Sequence, residues 1–185
     1  MKNALWILLG TLVIYLGALV AFDLNLNETK IPITGQSLAV LVVGFLLGRE
    51  NGFLAVFVYL LLGIIGLPVF AKGASGPEVF TKGSGGFLYG FLFASYLIGV
   101  ISESEKSKNF GICLGAMAMG TAVILFFGIG HLTYLYGFEK ALEYGLYPFW
   151  KGAVVKIIIG GIIVYGISRL VKLPVGNTAL SNATL

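Results

Sequence analysis

Charge is what this sequence has least of. Only 11% of its 185 residues are charged and 58% are hydrophobic, against roughly a quarter charged in an ordinary soluble domain. So few polar groups cannot cover a surface in water, which excludes a soluble globular domain and predicts an integral membrane protein. The eight acidic residues, Asp23, Glu28, Glu50, Glu78, Glu103, Glu105, Glu139 and Glu143, all fall in segments predicted as loops. Carriers coupled to protons or sodium place a carboxylate inside the membrane to bind the coupling ion, and none is predicted here. A single cysteine, Cys113, excludes an intrachain disulfide and a thiolate metal cluster. It is expected to be a small packing residue. A single histidine, His131, with no HExxH motif, argues against a metal-dependent hydrolase and is read as structural. No GxxxxGK[ST] sequence occurs, so uphill transport would draw its energy from another subunit. No run of basic residues points to nucleic acid, and neither a cofactor nor a catalytic centre is expected.

What the chain has is apolar runs punctuated by glycine. Six candidate spans follow: Ala4 to Phe22, Gln36 to Gly48, Phe53 to Gly66, Gly86 to Ile101, Phe110 to Ile129 and Gly152 to Leu170. The second and third are short for a bilayer unless Ile31 to Thr34 and Leu67 to Phe70 also enter it. A tight turn of four residues, Arg49 to Gly52, is expected between them. The first run lacks a signal-peptide cleavage site and is expected to be a retained helix. With the N-terminus inside, the inner segments hold Lys2, Arg49, Lys106, Lys108, Arg169 and Lys172, and the outer ones Lys30, Lys72, Lys82, Lys140 and Lys151. This slight bias places both termini in the cytoplasm. The fold expected is an all-α membrane protein, one six-helix transmembrane domain over residues 1–172, followed by a polar tail over 173–185.

Lys156 stands out because it lies in an otherwise apolar span, where an ammonium near a helix centre costs roughly 2.5 to 3.5 kcal/mol on insertion scales. It fits two roles, contact with an anionic ligand or snorkelling to the outer interface from a position near the helix start. Gly152, Lys156 and Gly160 repeat every four residues and so share a face. The segment Gly66-LPVFAKGASGPEVFTKGSGG-Phe87 combines glycine, proline, phenylalanine and lysine. That composition suits a loop that caps a ligand, or an ordered external connector. Tyr89, Tyr134, Tyr147 and Trp150 lie near span ends, where such residues ordinarily anchor at the interface.

Four stretches together carry a family resemblance. Ile31-PITGQSLAVLVVGFLLG-Arg49, Tyr59-LLLGIIGLPV-Phe70, Gly83-SGGFLYG-Phe91 and Pro148-FWKGAVV-Lys156 resemble, in order and spacing, the BioY family. These are the biotin-specific S components of energy-coupling-factor (ECF) transporters. The resemblance runs from Pro32 to Leu170. It implies a six-helix bundle in a prokaryotic cytoplasmic membrane that takes biotin from outside. It also implies as partners a transmembrane T component and two cytoplasmic ATPases, and toppling of the S component to release ligand. The family's small-residue docking face on the first helix would fall here on Gly17 and Ala21.

On the same resemblance, Lys156 with a loop lysine (Lys72, Lys82 or Lys151) would take the ligand carboxylate. Gln36, Ser75 and Ser84 would serve its ring, and Phe70, Phe87 and Trp150 would form apolar walls. The chain departs from the family at three positions that are polar in many members, with Ala74, Leu88 and Ala153 in their place. A ligand group left unpaired by such losses costs about 1 to 3 kcal/mol. Two alternatives therefore stand beside biotin: another small carboxylate such as lipoate, or a structural or assembly subunit of a larger membrane complex that has lost transport.

Overall fold

The computed structural model describes residues 2–22, 33–104 and 109–170. Asp23, Glu28, Lys30, Pro32, Glu105, Lys106, Lys108, Lys172 and the tail over 173–185 lie outside the described residues. The chain runs α1 (Lys2–Leu19), β1 (Ala21–Phe22), β2 (Ile33–Thr34), α2 (Gln36–Ile64), α3 (Gly85–Ser102), α4 (Phe110–Tyr136), α5 (Phe138–Gly145) and α6 (Trp150–Leu170). Two short 3-10 turns, Ala71–Gly73 and Pro77–Phe80, lie between α2 and α3. The two-residue strands pair antiparallel, Ala21 opposite Thr34, and tie the end of α1 to the start of α2.

The segment α2 is two helical arms rather than one straight helix. Gly48 sits at φ 77° and ψ 179°, a backbone region open essentially to glycine alone. The chain folds back there. A Cβ on Gly52 would lie 2.8 Å from Cα of Gly44, and Gln36 reaches Tyr59 across 23 residues with a 2.8 Å hydrogen bond. A straight helix would hold those two about 35 Å apart at 1.5 Å per residue. The expected turn over Arg49 to Gly52 is thereby corrected. One glycine makes the reversal, and Arg49 to Gly52 already belong to the second arm, with Asn51 and Gly52 buried between the arms.

The helices α3, α4 and α6 are each long and apolar enough to cross a membrane, and α2 reaches that length only as the sum of its two arms. Because α2 is a hairpin it makes two passes, and α1 supplies the sixth. The residues Leu67 to Phe70 turn back toward the bundle: Phe70 is buried and the Val69 carbonyl accepts from the Tyr59 hydroxyl at 2.8 Å. The helix α4 runs to Tyr136, about two turns beyond the expected end, and stops at Gly137, φ 87°. Glu139 and Glu143, expected in a loop, lie instead in the short amphipathic α5. Its Ala141 and Gly145, four apart, face inward. Glu50 likewise belongs to the second arm of α2 rather than to a loop.

Ile14, Phe45, Tyr59, Ile98, Met117 and Val164 are fully buried and join α1, α2, α3, α4 and α6 in one core, which also holds Cys113. Large apolar side chains such as Leu8, Phe126 and Ile162 point outward, as lipid-facing surfaces require. Gly17 meets Ala39 and the Gly35 carbonyl inside the protein, while Ala21 belongs to β1 rather than to α1. The two therefore do not form an outward helical face, and the first helix spends its small residue on packing against α2.

At the Gly48 end the helices close tightly. A Cβ on Gly99 of α3 would fall onto the backbone of Gly48 and Arg49, and one on Gly44 would lie 2.9 Å from Cα of Ser95. Glu103 pins the join: one carboxylate oxygen accepts from the Arg49 backbone N–H at 3.0 Å, and the other pairs with the Arg49 Nε at 3.3 Å.

Candidate functional site

At the opposite end the bundle opens around a cavity of about 290 Å³. Its walls come from the start of α2, the loop before α3, the first half of α3, the middle of α4 and the start of α6. Six of the residues singled out from the sequence line it together: Gln36, Phe70, Lys72, Ser84, Phe87 and Lys156. The remaining three stand off the cavity. Ser75 is on the loop outside the wall. Lys82 is exposed, and its backbone carbonyl contacts the His131 Nε2 at 3.1 Å. Trp150 is 51% exposed. Lys151 is exposed as well and lies 5.6 Å over the Trp150 ring.

Two consecutive residues of α2, Gln36 and Ser37, contribute polar groups to the cavity. Successive helical residues point about 100° apart, so Gln36 and Ser37 serve different neighbours. Lys156 donates to the Ser37 hydroxyl at 3.0 Å; it is only half-buried and lines the cavity. Its partner is thus Ser37. Gln36, by contrast, is turned to Tyr59. Thr34, whose hydroxyl accepts from the Gln36 N–H at 3.3 Å, and Thr121 complete the polar lining. No acidic side chain lines the cavity among the described residues. With Lys72 and Lys156 present, the field there favours an anion.

The apolar wall is aromatic. Phe87 packs beside Phe149, ring centroids 5.9 Å apart, and Phe91 adds a third ring. Where the sequence pointed to Trp150, the structure puts its neighbour Phe149 on the cavity. The glycine-rich loop closes the top. Phe70 contacts Tyr59 at 5.6 Å and Phe80 at 5.9 Å, and Phe80 contacts Tyr89 at 5.4 Å. The Gly76 N–H donates to the Gly63 carbonyl at 2.8 Å. These contacts anchor an irregular segment by burying its aromatics. Lys72, at φ 60°, is the one non-glycine residue of positive φ among the described residues, and it stands on the cavity wall. Backbone strain of this kind concentrates at ligand sites.

Ser37, Thr34, Thr121 and Phe149 were not singled out from the sequence. Ser37 carries no signal by itself, because its partner lies 119 residues away. Ala74, Leu88 and Ala153, the three positions that depart from the family resemblance, all line the cavity.

The model of the BioY family matches residues 1–173. This chain belongs to the BioY family. Among BioY relatives, the biotin transporter BioY of Thermotoga maritima is 32% identical over 161 residues, 86% of this chain and 92% of that one. The biotin transporter BioY of Rhizobium etli is 34% identical over 165 residues, 84% of this chain and 87% of that one. The crystal structure of the S component for biotin from an ECF-type ABC transporter superposes with a TM-score of 0.81 at 26% identity, covering 91% of both chains. Like its BioY relatives, the chain is a multi-pass integral membrane protein, and its six passes have the S-component fold.

Proposed function

We propose that this chain is a membrane-embedded, non-catalytic subunit that captures biotin for ATP-driven uptake, working with a T component and two cytoplasmic ATPases. The observation that carries the proposal is the cavity itself. It joins an aromatic wall to two lysines and a set of neutral hydrogen-bonding groups, with no carboxylate among the described lining residues. That chemistry suits a ligand with an apolar body, a neutral polar ring and one carboxylate. Its volume lies near the lower end of small-molecule pockets, about 300 to 1,000 Å³. In this proposal Lys156 and Lys72 neutralise the carboxylate, Gln36 and Ser84 meet the ring, and Phe70 and Phe87 enclose the apolar part. The cavity lies at the end of the bundle away from both the N-terminal end of α1 and the C-terminal end of α6. Cytoplasmic termini, favoured by the lysine and arginine bias, would then present it to the outside.

A second substrate is favoured by one observation. Ala74, Leu88 and Ala153 all face the cavity, which reduces the groups available to a ureido ring and leaves those for a carboxylate. Lipoate, a carboxylate without that ring, fits this pattern. Isothermal titration of the purified, detergent-solubilised chain with both ligands decides between them. Tight one-to-one binding of biotin is expected. Heat from lipoate alone would transfer the proposal to the second substrate, and silence with both would remove the binding role.

A further inference from the structure

Tyr59 is fully buried and lies behind the cavity wall rather than on it. It nevertheless touches the site from two sides, because its hydroxyl is bonded to Gln36 of the cavity and to Val69 of the glycine-rich loop, both at 2.8 Å. The direction of those two bonds is set by chemistry. A phenol has one proton to donate. The Val69 carbonyl can only accept, so the phenol proton goes there. The remaining contact of the phenol oxygen is then as an acceptor, and the Gln36 amide must offer it an N–H. This settles which end of the amide faces Tyr59. Among the described residues no donor reaches the Gln36 Oε1, and no buried side-chain polar atom lacks a partner, so that oxygen is left to the cavity.

We infer that Tyr59 is a positioning residue that locks Gln36 with its carbonyl oxygen toward the cavity, making Gln36 an acceptor for a ligand N–H, and that the lock is closed by the Val69 carbonyl of the loop. This rests on the proposed capture of biotin and deepens it: the recognised group is a ring N–H donor, as in a cyclic urea. Among the residues that line the cavity, Thr34, Ser37, Ser84 and Thr121 carry hydroxyls that can rotate to donate or accept. The amide of Gln36 cannot do so while Tyr59 holds its nitrogen. Replacing Tyr59 by Phe removes both bonds and keeps the ring that packs on Phe70. The amide is then free to turn its N–H groups to the cavity, where they would oppose a ligand donor.

A double-mutant cycle on the full chain in detergent tests this, with biotin as the probe and thermal unfolding of each variant as the check on folding. Tyr59→Phe is expected to weaken biotin binding about 10-fold, and Gln36→Leu by about 10-fold or more, as for a buried ligand donor left unpaired. The double variant should bind no more weakly than Gln36→Leu alone, because Tyr59 acts through the amide. Losses that multiply would mean that Tyr59 only supports the fold and would overturn the inference. So would a Tyr59→Phe variant that binds like the wild type. If Tyr59→Phe fails to fold, Gln36→Glu supplies the readout. Its carboxylate offers only acceptors, so the Tyr59 proton is drawn from Val69 and the second oxygen still accepts from the ligand. Binding retained better than in Gln36→Leu supports the acceptor role, and equal loss overturns it. Silence of the wild-type chain toward biotin would remove the parent proposal and this one with it, whereas additivity in the cycle would remove this one alone.

Discussion

The two ends of this bundle are built from the same kinds of helix, yet one is closed and the other is hollow. At the Gly48 end, glycines at 44, 48, 52 and 99 let backbones touch, and a single acidic residue, Glu103, stitches the hairpin tip to α3. At the cavity end, aromatic rings and an irregular loop surround about 290 Å³, and the polar groups among the described residues include Gln36, Ser37, Lys72 and Lys156 but no carboxylate. Glycine therefore has opposite uses in the two ends. At the closed end it brings helices together, while in the loop it lets backbone turn irregularly over the cavity, at Gly73 and Gly76 for instance.

Substitutions at the two ends should therefore separate stability from binding. The largest effect is expected from Gly99→Leu, which drives a side chain into the Gly48 and Arg49 backbone. A loss of about 1 to 3 kcal/mol is expected from overpacking of this kind, seen as a lowered unfolding midpoint in detergent; an unchanged midpoint would mean the closed end is not close-packed. Next comes Lys156→Met at the hollow end, which removes the ammonium and keeps the chain length. Loss of a charge-assisted ligand contact predicts biotin affinity reduced about 10- to 100-fold with the unfolding midpoint preserved. A lowered midpoint with unaltered affinity would assign Lys156 to packing instead. Smaller again is Glu103→Gln, which weakens the partly exposed pair with Arg49. Its expected cost is about 1 kcal/mol or less, visible in unfolding and absent from titrations. The smallest effect belongs to Trp150→Ala, an exposed residue off the cavity wall, for which affinity should change less than about twofold; a tenfold loss would bring Trp150 into the site.

The hollow end was harder to read from the sequence than the spans were. Apolar runs and breakers place all six passes because lipid demands length and hydrophobicity, which are local properties. They misjudge where the runs end. The extension of α4 and the short α5 depend on Leu132 and Ala141 being buried by neighbours, a tertiary effect. Lys156 was visible as a cation in an apolar run, and Gln36, Phe70, Lys72, Ser84 and Phe87 came from motif resemblance; all six line one cavity. Ser37 and Phe149 were missed for a different reason. Each stands beside a residue that the sequence does point to; for Ser37, a shift of one position on a helix turns a side chain by about 100°, and Phe149 lies in the turn just before α6. That choice is made by partners far away in the chain, such as Lys156 for Ser37.

The reversal at Gly48 also bears on how the chain enters its membrane. The first arm of α2, from Gln36 to the residue before Gly48, is about 18 Å long at 1.5 Å per residue, and the second, to Ile64, about 24 Å. Neither equals the roughly 30 Å of a hydrocarbon core. A nascent chain that has exposed only the first arm offers the insertion machinery no complete span. The two arms, bound at their far ends by Gln36 and Tyr59, therefore count as one unit in the membrane rather than as two independent spans.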